Sequence, residues 1–236
     1  MSEGDPGPID AGGGGSFWTS LPALLTAAAV LLGAVVSAVV ALRNDNSSAS
    51  AGQTTTTTTG PRASEYFVAV TRPAGRVYFE SGTMFVKASK PAQPMLALAE
   101  RADALKDVGI KASTEWISGA KDYGVGFVCR YANAGNYYLL AVLSGGRYHI
   151  VRYRKGRPVS LTGGIQKSAA IDDDANDVEA RCVGNDPVIL TLAVDGRDVA
   201  SARDRDGIKE GNVGLRLGTS ESVVTCAFRH FELKSL

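Results

Sequence analysis

Side chains able to do acid–base, nucleophilic or metal chemistry are few and scattered in this 236-residue chain. Cleaving a glycosidic bond needs two flanking carboxylates, one protonated and one ionised. Glu115 is the one acid in the middle of a long alternating segment, beside Trp116, and a single carboxylate on an outward strand face reads as solvated surface. His149 and His230 are the only histidines, so an imidazole metal site would hold at most two such ligands. Both are expected on strand surfaces. No Gly-x-Ser-x-Gly nucleophile turn occurs. Asp172, Asp174 and Asn176 open a D-x-D-x-N series, but Asp177 takes the place of the sixth-position glycine and Val183 that of the bidentate glutamate of a calcium loop. Asp204 and Asp206, before Gly207, form a shorter acidic loop of the same kind. No metal, cofactor or enzymatic activity is expected.

Aromatic and amide chemistry is better supplied. Sugar rings lie against flat aromatic faces while Arg, Asn and Asp take their hydroxyls. Trp116, Tyr131, Tyr137, Tyr138, Tyr148 and Tyr153 stand near Arg130, Asn136 and Arg152 in the sequence. The ligand-binding set expected from this is Trp116, Arg130, Tyr131, Asn136, Tyr137, Tyr138, Tyr148 and Arg152. Strand alternation puts Tyr137 and Tyr138 on opposite faces, so one of the two should be exposed or line a groove.

The elements that must position these residues are strands. Short runs rich in Val, Ile, Tyr, Phe and Thr cover residues 66–70, 76–79, 83–88, 108–117, 123–131, 137–143, 148–154, 176–183, 188–194, 213–217 and 223–233, separated by Gly, Asp and Asn. In residues 108–117, Val108, Ile110, Ala112, Thr114 and Trp116 share one face and Lys111, Ser113 and Glu115 the other, the mark of a half-buried sheet. Ser144-Gly145-Gly146, Lys155-Gly156-Arg157 and Asp195-Gly196 read as hairpin turns, the last favouring type I′ because both central positions need positive φ. In residues 94–105, Met95, Leu98, Ala99, Ala102 and Leu105 recur near a 3.6-residue period, which predicts one short helix. The fold expected is all-β, a two-sheet jelly-roll sandwich over residues 64–236 with that one helix.

Ahead of it, residues 21–42 contain no charge, and as a helix they would cover about 33 Å, enough for a bilayer core. Residues 17–43 are expected to form a single transmembrane helix. Residues 1–16 make an acidic Gly/Pro-rich disordered leader with Glu3, Asp5 and Asp10, and residues 44–63 a Ser/Thr-rich stalk with six consecutive threonines. An h-region would be shorter and follow a basic segment, which argues against a cleaved signal peptide. Arg43 alone would place the domain inside, but large domains translocate largely regardless of one charge, and the stalk composition suits the outside. Ala29, Gly33, Ser37 and Ala41 form a small-residue stripe that could pair two such helices into a homodimer. From Arg43 onward 25 basic residues face 21 acidic ones and alternate with acids and aromatics, so no nucleic-acid partner is expected. Three cysteines, Cys129, Cys182 and Cys226, allow one bridge or none.

Several blocks occur in a telling order: Tyr123-Gly-Val-Gly-Phe-Val-Cys-Arg-Tyr131, Asn136-Tyr137-Tyr138, Glu179-Ala-Arg-Cys-Val-Gly184, Val194-Asp-Gly196, Gly211-Asn-Val-Gly-Leu215, and a closing Phe228 to Leu233. Together they resemble concanavalin-like jelly rolls, above all the laminin-G-like, family-16-like extracytoplasmic domains of bacterial membrane proteins. Some of these are labelled keto-disaccharide hydrolases. The resemblance implies that Cys129 and Cys182 pair, on neighbouring strands. It departs in two places. The family-16 string Glu-x-Asp-x-x-Glu is missing, and Phe228-Arg229-His230-Phe231 stands where relatives close with an acidic Phe-Asp-Asn-Phe. The expectation is therefore a membrane-anchored extracytoplasmic module that binds a glycan. The alternatives are a structural or signalling-accessory domain that docks an envelope protein and, least favoured, a saccharide hydrolase.

Overall fold

The computed structural model describes residues 62–100 and 102–236. The expected transmembrane segment, leader, stalk as far as residue 61 and small-residue stripe lie outside the described residues. Among those described, no helix is long and apolar enough to cross a membrane.

One helical turn, α1 (Ala63–Tyr66), is followed by β1 (Val70–Arg72), β2 (Gly75–Glu80), β3 (Thr83–Ala88), β4 (Met95–Leu98), β5 (Val108–Gly119), β6 (Tyr123–Asn133), β7 (Asn136–Leu143) and β8 (Arg147–Arg154). Then come β9 (Arg157–Ser160), β10 (Gln166–Lys167), β11 (Ala175–Val183), β12 (Val188–Val194), β13 (Arg197–Asp204), β14 (Asn212–Thr219) and β15 (Val224–Ser235). Eight form a sheet in the order β1-β2-β3-β15-β5-β11-β12-β13. The other sheet runs β10-β8-β7-β6-β14-β4, with β9 added beside β8. All pairings within both sheets are antiparallel, as a two-sheet sandwich of this type requires.

Between the sheets sit Met84, Val86, Leu190, Leu192 and Phe228 from one and Phe127, Leu140, Ile150, Leu215 and Leu217 from the other, each at most 1% exposed. The three predicted turns join adjacent antiparallel strands. Lys155-Gly156 and Asp195-Gly196 have φ of 51° and 76° and of 50° and 76°, the consecutive positive values that match the right-handed strand twist.

The structure adds three strands that the eleven sequence runs did not include, β9, β10 and β13, and alters two further assignments. Among the described residues of 94–105 there is no helix: Met95–Leu98 is a strand pairing with β14, and the apolar residues also fit a period of two, with Met95, Ala97 and Ala99 all facing inward. The open edge of β14 satisfies this backbone better than a lone helical turn could. Residues 66–70 are not a strand either; Tyr66 ends α1, and extended pairing starts at Val70.

Cys129 and Cys182 form a disulfide with their Cα atoms 6.6 Å apart. They belong to β6 and β11, so the bond crosses the core from sheet to sheet and does not link neighbouring strands. Cys226 is a free thiol inside the core, and burial pushes its pKa up.

Candidate functional site

Each sheet also has an outward face, and on the seven-stranded sheet that face is apolar. Val128, Tyr137, Leu139, Ala141, Leu143, Val151 and Tyr153 make a second buried cluster, with Leu96, Tyr131 and Ile165 packed at its margin. Within it the tyrosines form a ladder across three neighbouring strands. The rings of Tyr131 and Tyr137 lie 5.7 Å apart and tilted; Tyr137 and Tyr153 are stacked at 4.4 Å with 14° between planes. Arg216 of β14 donates to the Tyr153 phenol at 2.8 Å, spanning β6 and β7 to reach β8. Gly126 lies directly across from Arg216 in the β6–β14 register, and a Cβ there would run into the Leu139 side chain. Burial raises the pKa of Tyr137 and Tyr131, so both phenols stay neutral donors at ordinary pH. Tyr131 keeps part of its ring open to solvent, while Tyr137 and Tyr153 back it from within.

The turns at this end of the sheet brace one another. Asn133 accepts from the Gly135 N–H and from Asn136 Nδ2, and Asn136 Oδ1 accepts from the Lys155 N–H at 3.1 Å. The Gly156 N–H donates to the Gly135 carbonyl at 3.0 Å. Asn136 is thus a half-exposed turn-fastening residue.

Several expected ligand contacts belong elsewhere. Tyr137 and Tyr138 do point to opposite faces, but both are buried, because the outward face has a core of its own. Tyr138 lies between the sheets, donating to Asp204 at 2.7 Å and accepting from the Ile208 N–H at 3.0 Å. Asp204 also pairs with Arg152 at 2.6 Å, which makes it the anchor of a buried network and not a loop carboxylate awaiting a cation.

Arg130 is fully buried. Its guanidinium donates to the carbonyls of Lys106 and Ile208, both at 2.8 Å, to that of Gly184 at 2.6 Å, and to Asp107 at 3.3 Å. Burial lowers its pKa, with Tyr138 and Asp107 opposing that shift. These acceptors offset the desolvation of a buried cation, so Arg130 staples three loops and is not available to a ligand. Gly211 packs on the same stretch, where a Cβ would come within 2.7 Å of the Arg130–Tyr131 backbone. Tyr148 is half-buried against the inter-sheet core.

Trp116 belongs to β5, in the other sheet from the tyrosine ladder, and lies under Lys121, whose Nζ is 3.5 Å from the ring centroid and also pairs with Asp174. In the Asp172 loop three side chains accept from the backbone, and the Asp174 carboxylate pairs with Lys121. Asp172 accepts from the N–H groups of Asp174 and Ala175, which lowers its pKa, Asp173 from that of Gly145, and Asn176 from that of Asp172. Among the described residues no group of three or more His, Cys, Asp or Glu could hold a metal ion.

Of the histidines, His230 is exposed, its Nδ1 3.1 Å from the Ser113 hydroxyl, which donates onward to Asp177. The serine, not the histidine, sits in the middle, so this is not the order of a hydrolase triad. His149 is buried on the outward face, against the surface position expected for it; its Nε2 meets Ser160 at 2.9 Å and its pKa is lowered by burial. The sequence reading also passed over Arg216. Its signal was a lone arginine between Gly214 and Gly218, residues that leave room on that face of β14.

No protein-family model matches the chain, and no curated protein matches its sequence. Solved structures do match in fold. The alginate lyase Aly36B, determined as a mutant with an alginate tetrasaccharide, shares 13% identity at a TM-score of 0.53, over 68% of this chain and 83% of that one. A functionally unknown protein from Saccharomyces cerevisiae gives 10% and 0.52, over 75% and 99%. The β-glucanase of Bacillus licheniformis gives 10% and 0.50, over 68% and 82%. The domain is a concanavalin-like jelly roll.

Proposed function

We propose that this chain is a membrane-anchored extracytoplasmic module whose jelly roll binds a glycan without transforming it. The observation that carries the reading is the tyrosine ladder on the outward face of the seven-stranded sheet, with the open part of Tyr131 as the stacking surface. Tyr137 and Tyr153 act by holding Tyr131 in place, so little ordering is needed when a sugar ring arrives. Two fold neighbours carry saccharide-directed names, which supports a glycan over a protein ligand. The uncharged segment at residues 21–42 and the threonine tract behind it support a tether that holds the domain away from the bilayer.

A glycan array probed with the full chain in mild detergent tests this reading. The expected result is retention of at least one saccharide class, lost in Tyr131→Ala while the Cys129–Cys182 bond and cooperative unfolding are kept. Absence of binding to every glycan, or an unchanged profile in the folded Tyr131→Ala protein, overturns it.

A further inference from the structure

The β8–β9 hairpin collects positive charge. No Asp or Glu occurs between Asp122 and Asp172, while Arg130, Arg147, Arg152, Arg154, Lys155, Arg157 and Lys167 do. Along the chain these cations are interspersed with aromatics, which hides the clustering; the hairpin brings four of them together. Arg152, Arg154, Lys155 and Arg157, with Val159, line an open depression of about 640 Å³. The register puts Arg154 directly across from Arg157 and Arg152 across from Val159, all on one face of the hairpin. Tyr153 points to the opposite face, into the tyrosine ladder.

Three features mark this depression as a binding site and not an ordinary solvated turn. Like charges directly opposite on paired strands destabilise the pairing, yet Arg154 and Arg157 face each other with Lys155 in the turn between them. Among the described residues none of these three has an ion-pair partner. Arg152 is paired with Asp204, but its buried Nε–H has no protein acceptor. The turn is also held rigid, through the bonds from Lys155 and Gly156 to Asn136 and Gly135, so the charges are presented in a fixed arrangement. Three guanidinium forks suit planar or tetrahedral oxyanions, and Val159, 42% exposed, offers an apolar contact for a ring face.

We propose that this depression is an anion subsite that takes the carboxylate or phosphodiester groups of an acidic polysaccharide. It extends the glycan-binding reading, on which it rests, by naming the class of glycan. An anion lying between Arg154 and Arg157 relieves their repulsion, and the saccharide attached to it can continue around the turn toward Tyr131.

The test uses the full chain in mild detergent, with polygalacturonate as the carboxylate probe, poly(glycerol phosphate) as the phosphodiester probe and dextran as the neutral control. The combined variant Arg154→Gln, Lys155→Gln and Arg157→Gln leaves Arg152 and its network in place. The expected result is binding of at least one acidic polymer, weakened by added salt and weakened about ten- to a hundred-fold in the variant as charge-assisted contacts are lost. The single variant Arg157→Gln should show a smaller loss and serves if the combined variant fails to fold. Unchanged affinity in the folded variants overturns the proposal, as does equally tight binding of a single-stranded nucleic acid. Retention of neutral glycans alone also overturns it while leaving the glycan-binding reading standing; failure of every glycan removes both.

Discussion

Behind β5, β11 and β15 the eight-stranded sheet presents Lys111, Glu115, Glu179, Arg181, Arg229 and Glu232 to solvent, tied in pairs such as Arg229 with Glu115 and Arg181 with Asp198. Behind β6, β7 and β8 the other sheet presents Val128, Tyr137, Leu139, Ala141, Val151 and Tyr153, all buried. The inward faces of both sheets are alike, so the core does not distinguish them. The contrast lies in what each back is made to do. Exposed ion pairs contribute little stability and keep a wide, flat sheet soluble and unsociable. An apolar back with an aromatic ladder buries its own side chains and leaves Tyr131 partly open at its margin.

What joins the two sheets should have the largest effect. In the chain-entropy model a bond between residues 53 apart in sequence stabilises by about 4 kcal/mol, so reduction should lower the denaturant midpoint accordingly. Thiol counting on the denatured, unreduced protein should find one free cysteine, Cys226. Three would remove the crosslink between the faces.

Next in size is the apolar back itself. Leu139→Ala, at a fully buried position in the second cluster, should cost about 3 kcal/mol in equilibrium unfolding. A loss under about 0.5 kcal/mol, the range of a surface site, would mean that this face is not a core and would erase the contrast. Tyr153→Phe should cost roughly 1–3 kcal/mol, because it strips a hydrogen bond from the buried Arg216 guanidinium while keeping the ring stack.

A smaller effect is confined to acid. Burial holds the His149 pKa below its ordinary 6.5, so the folded state prefers the neutral ring. Its contribution is fully present above 6.5 and declines as pH falls below that value, since the unfolded chain then binds the extra proton. His149→Gln should flatten the decline between pH 7 and 5; an unchanged slope would assign it to other groups. On the charged back, Glu115→Gln breaks the exposed pair with Arg229 and should change stability by no more than about 0.5 kcal/mol. A larger loss would show that the charged back carries structural load after all.

Much of this was legible in the chain. The alternation of Lys111, Ser113 and Glu115 with Ile110, Ala112 and Thr114 is local, and it gave a half-buried strand and its inward face. The hairpins at Lys155-Gly156 and Asp195-Gly196 followed from residues that tolerate positive φ. The uninterrupted apolar run from Tyr137 to Leu143 already signals a strand buried on both faces, which would have corrected the expectation that one tyrosine of the pair is open. Residues 95–99 misled because five residues satisfy a helical and a strand period together, and only the unpaired edge of β14 decides between them.

Composition, the all-β character, the hairpin turns and the apolar character of residues 21–42 were thus determined by the sequence itself, because each depends on neighbours a few residues away. Tertiary structure alone decided that Arg130 and Arg152 turn inward to Gly184, Ile208 and Asp204 while Arg154 and Arg157 stay open. It alone carried Arg216 to Tyr153 and set Cys129 against Cys182 across the core. Those partners lie 50 or more residues away in the chain, and a charged side chain's fate follows from whether a distant carbonyl or carboxylate meets it when the sheets close.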